Sequence, residues 1–290
     1  MTQTNTTTLQ YSLPTEHIVA AVVQEARPYN VCAPLVLNEI LPRGAGKMWQ
    51  KVILPTTTAA SVTETTELAA APRTVSRAYT QIGEVGLSTE LSRLVEETST
   101  ITNQVLLWAE SQGRAIAQKV TGDVCALFID LNGGSTVGTS GSSIAVSDFV
   151  QAIYTLDNAN APGQKRCVLH PRQVADLFAA LTGAGAVYQN LPELIRQGIL
   201  PEGQPAAGFV GHLFGVPVYQ TTEVDLANNS ADRCGAMFVP EAMAFVQLRP
   251  ISVDYDHYAT RRTRIIVVTA AYGVAEVVGT YGVPIVTRAH

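Results

Sequence analysis

The sequence predicts an α+β protein in which one long helix packs on long antiparallel strands, with a small α/β unit inserted between them. Three observations carry this expectation. Between 98 and 128, Ile101, Val105, Trp108, Ile116, Val120, Val124 and Leu127 recur mostly at three- or four-residue steps, while Glu110, Arg114 and Gln118 mark the opposite side. Residues 243–255 and 264–278 each read as a long strand, the second almost continuously apolar and therefore expected to be covered on both faces. Between the helix and these strands, short strand and helix patterns alternate.

The chain of 290 residues is long enough for one large compact domain or two small ones, and can bury roughly three quarters of its unfolded surface. With 47% apolar and only 15% charged residues it is too hydrophobic to remain disordered. A formal net charge of −5 supplies no general positive field for nucleic acid or an anionic membrane. Of its 19 basic residues, four are Lys (Lys47, Lys51, Lys119, Lys165) and the rest are Arg, the side chain suited to bidentate pairing at protein contacts. No apolar run approaches the ~20 residues of a membrane helix. The Thr-rich start lacks the basic-then-apolar order of a secretion signal, so synthesis in the cytosol is expected. Cys32, Cys125, Cys167 and Cys234 are widely spaced and read as small core hydrophobes rather than a zinc or redox motif.

In chain order, an apolar patch at 18–23 lies among Pro14, Pro28, Pro34 and Pro42, a spacing that leaves little room for long elements and reads as an arm. A strand at 47–54 and another at 73–86 flank a polar stretch, 56–71, nearly devoid of large apolar residues. A polar loop of that length points to binding, a lid or a linker. The helix from 98 to 128, uninterrupted, would run about 45 Å and act as a spine, with Gly113 and Gly122 as places where it could bend. A Gly/Ser/Thr cluster at 132–143 reads as a connection, and Ser147 and Asp148 as the cap of a short helix to about Asn158. A short buried strand at 166–170, a helix opened by Pro171 and ending near Leu181, and a long loop at 183–204 with a helical turn at 191–198 complete the inserted unit.

Few motifs carry chemistry. Gly44-Ala-Gly-Lys47 lacks the first Gly of a phosphate loop, since position 41 is Leu, and Met48 replaces the magnesium-binding hydroxyl; a plain turn is expected. His170 has no base or orienting partner in sequence, and a structural histidine is expected. Asp254-Tyr-Asp256-His257 contains metal-ligand types, but on a strand the two carboxylates and the imidazole point to opposite sides. Together with Arg261, Arg262 and Arg264, these acids suit reciprocal salt bridges between symmetry-related subunits, or else form a solvated turn.

Leu87-Ser-Thr-Glu-Leu91, Gly211-His-Leu-Phe-Gly-Val-Pro-Val-Tyr219, Gly235-Ala-Met-Phe-Val-Pro-Glu-Ala242, Tyr272-Gly-Val and Gly282-Val-Pro-Ile285, in this order and spacing, resemble tailed-bacteriophage major capsid proteins of the Hong Kong ninety-seven type. The resemblance covers nearly the whole chain. It implies an N-terminal arm (1–43), an extended loop lying over the neighbouring subunit (44–83), a peripheral domain (84–130 and 236–290) and an axial domain (131–235). It also implies a structural subunit of an icosahedral head, with no catalytic residue, cofactor or metal, that self-assembles into hexamers and pentamers and encloses double-stranded DNA without reading its sequence. A scaffold protein, a portal and a decoration protein are the implied partners, with assembly in the host cytoplasm, residence in the virion and no membrane role. The short arm after Met1 favours a separate scaffold.

Intersubunit contacts are expected at Glu64, Glu67, Arg73 and Arg77 of the loop and at Asp254, Asp256, Arg261 and Arg262. Some members cross-link a loop Lys to an Asn of the peripheral domain; here no Asn follows Asn229, and Lys47 and Lys51 stand at the loop's base, which argues against that chemistry. Two alternatives remain: a bacterial nanocompartment shell of the same fold, and an enzyme using His170, Asp176 and the 183–204 loop.

Overall fold

The computed structural model describes residues 15–26, 29–42, 44, 46–54, 74–98, 104–183 and 207–289. Chain order gives α1 (Thr15–Ala26), β1 (Leu37–Ile40), β2 (Met48–Ile53), β3 (Ser76–Gln81), β4 (Gly83–Ser92), α2 (Arg93–Thr98) and α3 (Gln104–Cys125). There follow α4 (Val146–Asn158), β5 (Arg166–Leu169), α5 (Pro171–Gly183), β6 (Phe209–Leu213), β7 (Val216–Gln220), β8 (Leu226–Ala227) and β9 (Asp232–Phe238). The chain closes with β10 (Met243–Tyr258), β11 (Thr263–Glu276) and β12 (Gly282–Arg288).

One sheet has the order β1-β10-β11-β4, with β1 parallel to β10 and the remaining pairs antiparallel. At 16 and 14 residues, β10 and β11 make a ribbon about 50 Å long. Its register slips between Gln247 and Ser252, at Pro250, where the missing N–H cannot join a ladder. The buried face, including Val253, Ile266, Val268 and Leu91, packs against α3 through Ile116, Val120 and Val124.

The spine is shorter than the sequence pattern implies. α3 has 22 residues and is preceded by the separate α2; Ile101 lies outside the described residues. Its buried stripe runs through Ala109, Gln112, Gly113, Ile116, Ala117, Val120, Thr121, Val124 and Cys125, and Trp108 is 47% exposed rather than in the core. The small residues answer to α1. Fully buried Val22 sits on Gly113, where a Cβ would overlap its side chain and come within 3.2 Å of its carbonyl oxygen. Gly113 is therefore a close-approach position rather than a bend. The arm is thus not free of long elements: α1 docks on the spine of its own subunit, with Arg114 paired to Glu25 and its guanidinium 4.9 Å from the centre of the Tyr29 ring.

The second sheet has the order β12-β9-β5-β7-β6, with β8 beside β9. Alternate residues turn to opposite sides. Cys167, Leu169, Val218, Met237, Val283 and Ile285 meet α4 and α5 through Phe149, Leu156 and Leu177, whereas Val168, Cys234, Ala236, Phe238 and Val286 join the core under the spine. The rings of Phe128 and Phe238 are 5.7 Å apart across that junction.

Several local expectations change. The cut at 235/236 falls within β9, and β12, grouped by the sequence with 236–290, pairs with β9 in this second sheet. The strand expected at 73–86 is two strands, β3 and β4, which break at Ile82 and pair with different partners. The helix expected to start at Ser147 and Asp148 starts one residue earlier: Ala145 is its N-cap, and Asp148 accepts the Ala145 N–H at 2.9 Å. The 191–198 turn lies outside the described residues.

Asp232, fully buried, fastens the loop before α4 to β9. It accepts from Ser140 Oγ at 2.5 Å, the Gly141 N–H at 2.8 Å and Asn228 Nδ2 at 2.6 Å. Burial pushes its carboxyl up, but the Asn228, Ser140 and Gly141 donors outweigh this and hold it below the ordinary range. A folded-state value below the unfolded ~3.9 contributes stability above that pH, which is lost as pH falls through the folded value. Asp232→Asn is expected to cost about 1.5–3 kcal/mol near neutral pH, with the gap from the parent protein closing as pH drops below about 4. Urea midpoints measured at both pH values check this; a gap that persists in acid refutes the charge argument.

Candidate intersubunit surfaces

β2 and β3 pair antiparallel from Met48↔Gln81 to Ile53↔Ser76, so their residues divide into two faces. Trp49, Ala78 and the neighbouring Ile82 turn inward on Ala244, Val246, Ala271 and Ala275. Trp49 Nε1 donates to Glu39 Oε2 at 2.6 Å, Lys51 lies 3.5 Å from the same carboxylate, and Thr80 Oγ1 donates to the Val274 carbonyl at 2.8 Å. Gly273 makes room for this approach: a Cβ there would lie 3.1–3.2 Å from Thr80 and Gln81. The root of the hairpin therefore takes its order from its own subunit.

The outer face holds Met48, Gln50, Val52, Arg77, Tyr79 and Gln81. Met48, Val52 and Tyr79 are 54%, 57% and 69% exposed, and Leu54 and Val75 are exposed beside them. Apolar side chains on both faces of a two-stranded ribbon are an unfinished interface. The strip is hard to see in the sequence because a half-buried strand is sought by apolar–polar alternation, and here each face mixes apolar and polar residues. Of the expected loop contacts, Arg77 is on this outer face, while Glu64, Glu67 and Arg73 lie outside the described residues.

The tip of the β10–β11 ribbon forms the second surface. Directly paired residues share a face, so Asp254 with Val267 and Ser88, and Asp256 with Ile265 and Glu90, lie on the open side. Tyr255 and His257 are on the other. Glu90 thus adds a third carboxylate to the strip, a grouping visible only once β4 is paired to β11. Arg261 and Arg262 sit in the turn; Arg262 has φ 54°, and its carbonyl accepts the Arg93 N–H at 2.9 Å. Among the described residues, Asp254, Asp256, Glu90, Arg261 and Arg262 form no ion pair within the subunit. The structure therefore does not bring the expected acids and arginines together in one chain; it segregates three acids on a face from two arginines at the end.

The groups considered for catalysis are engaged in the fold. His170 Nδ1 accepts the Arg172 N–H at 3.2 Å, and burial, with Arg233 nearby, lowers the imidazole below its ordinary range. Asp176 accepts Arg288 Nε and Nη2, each at 3.0 Å; these bonds lower its carboxyl against the upward push of burial. Residues 184–206, covering nearly all of the third candidate loop, lie outside the described residues. Gly44 and Gly46 occupy left-handed backbone between two strands, with no helix following to bind phosphate. No group of three or more His, Cys, Asp or Glu among the described residues is placed to hold a metal ion.

The long ribbon, spine and second two-faced sheet define the fold of tailed-phage capsid proteins of the Hong Kong ninety-seven type. The chain is similar to the capsid structure of cyanophage P-SCSP1u, with 14% identity over 87% of this chain and 86% of that one and a TM-score of 0.62. It is similar to the head structure of Helicobacter pylori bacteriophage KHP40 at 12% identity, 87% coverage of each chain and a TM-score of 0.62. A virus-like particle from Pyrococcus furiosus matches at 13% identity over 93% of this chain and 98% of that one, with a TM-score of 0.61. No protein-family model and no curated protein matches the sequence.

Proposed function

We propose that the chain is the major capsid protein of a tailed phage: a structural subunit, without catalytic role, of an icosahedral shell enclosing double-stranded DNA. One observation carries this reading. The fold matches capsid chains over 87% of its length, and it carries an apolar hairpin strip, Met48, Val52 and Tyr79, that its own subunit leaves more than half exposed. A second copy covers that strip, so the subunits interdigitate into hexamers and pentamers. The second surface closes the contacts where several copies meet, with Asp254, Asp256 and Glu90 of one subunit facing Arg261 and Arg262 of the next. Glu64, Glu67, Arg73 and Arg77 supply polar contacts along the extended loop. We assign 1–43 to an arm, 44–83 to that loop, 131–238 with β12 to an axial unit and 84–130 with β10 and β11 to a peripheral one. The net charge of −5 keeps the wall from binding the genome tightly, which suits containment.

A separate scaffold, a portal and a decoration protein complete the head, assembled in the host cytoplasm. No described helix is long and apolar enough to cross a membrane. The virus-like particle from Pyrococcus furiosus gives only weak support to a second reading, a bacterial nanocompartment shell of the same fold; the nucleic-acid content of purified particles separates the two.

The tip contact supplies the test. A single exposed ion pair contributes only ~0–1 kcal/mol, but symmetry repeats it at every equivalent contact. Arg261→Glu is expected to leave the subunit's urea midpoint unchanged while reducing assembly, and Asp256→Arg with Arg261→Asp to recover part of the loss. High salt should weaken wild-type assembly in the same direction, because exposed charges are screened beyond ~8 Å at physiological ionic strength. Unchanged assembly of Arg261→Glu across a salt series would reduce the cluster to a solvated turn.

A further inference from the structure

We propose that Cys32 and Cys125 are a disulfide-forming pair that, when oxidised, staples the N-terminal arm to the spine. Their sulfurs stand 3.6 Å apart, although 93 positions separate them in sequence. Both are buried and both are free thiols. Cys32 lies outside helix and strand, on the segment joining α1 to β1, and Cys125 is the last residue of α3. Neighbouring bonds hold that segment in place: Thr121 Oγ1 donates to the Tyr29 carbonyl at 2.9 Å, and the Leu35 N–H to the Cys32 carbonyl at 2.9 Å. The sulfurs need approach by only about 1.6 Å to reach the ~2.05 Å of a disulfide.

The oxidant is a small-molecule disulfide. A protein thiolate attacks one of its sulfurs, breaking its S–S bond and expelling a small thiolate. The second protein thiolate then attacks the mixed disulfide at the protein sulfur and expels the other small thiolate. The two thiol protons pass to the two expelled thiolates, and the reagent takes up two electrons. Because the hydrogen bond with Cys32, reinforced by burial, holds the Cys125 thiol well above its ordinary range, closure should accelerate with rising pH. The bond would enclose β1, the β2–β3 hairpin, β4, α2 and nearly all of α3, so the arm could no longer leave the spine. A reducing interior keeps the pair open, and an oxidising medium closes it.

The test uses the unassembled full-length chain in native buffer, so a failure to assemble does not bear on it. After incubation with oxidised glutathione, thiols are counted with Ellman's reagent in guanidinium and the linked peptides identified by mass spectrometry. The expected result is a fall from four thiols to two, a Cys32–Cys125 linked peptide, and a thermal midpoint raised by roughly 5–10 °C and restored by dithiothreitol. Cys32→Ser and Cys125→Ser should each form no peptide-to-peptide disulfide under the same treatment, the remaining thiol of the pair either surviving or being held as a mixed disulfide with glutathione. Four thiols surviving in the parent protein, a link through Cys167 or Cys234, or a peptide-to-peptide disulfide in either single variant would overturn the assignment.

Discussion

Replacing Met48, Val52 and Tyr79 together by Ser is expected to abolish shell formation while leaving the subunit folded. These side chains are more than half exposed in the single chain, so each removal should shift unfolding free energy by no more than about 0.5 kcal/mol. Against a neighbour each would bury apolar surface worth about 1.5–3 kcal/mol when fully covered. Even a third of that for each of the three reaches about 1.4 kcal/mol or more, a tenfold change in association per contact. Sedimentation of variant and parent at matched concentration reads the effect, with the urea midpoint as the control for folding. Undiminished assembly would mean that the outer face of the hairpin stays in water.

The second large effect lies at the junction of the two sheets. Phe128 is fully buried beneath the end of the spine, against Phe238 of β9. Phe128→Ala leaves a cavity that the β9 backbone, paired on both sides by β12 and β5, cannot collapse to fill. The expected cost is about 3–5 kcal/mol, a large share of the 5–15 kcal/mol of a typical domain. Chemical denaturation should show it directly. A loss below about 1 kcal/mol would mean that the two halves do not depend on a shared core.

What the sequence made legible, and what it hid, follows from where the information resides. The ribbon could be read from 243 to 278 because strand alternation and apolar continuity are local properties. The α1 helix was missed because Pro14 and Pro28 bracket it so closely that the prolines outweighed the apolar patch between them. The stripe on α3 was displaced because a search for large apolar residues selects Trp108 and passes over Ala109, Gln112 and Gly113. Those smaller residues are what allow α1 to come close. The membership of β12 in the second sheet depends on pairing with a strand about fifty residues earlier, which no local pattern encodes. At the candidate surfaces, Asp254, Asp256, Arg261 and Arg262 were readable as a cluster of charge. Their segregation into a face and a tip required the register with β4, as did the recruitment of Glu90.

The proposed function requires a closed shell whose subunits clasp one another through the β2–β3 hairpin. Electron cryomicroscopy of particles assembled from the purified chain, with its scaffold where one is required, tests this most directly. The expected result is hexamers and pentamers in an icosahedral lattice, with Met48, Val52 and Tyr79 covered by the adjacent subunit and Arg261 within ion-pair reach of a neighbour's Asp254, Asp256 or Glu90. A monodisperse monomer under all conditions, or a shell in which that apolar strip faces solvent, would contradict it.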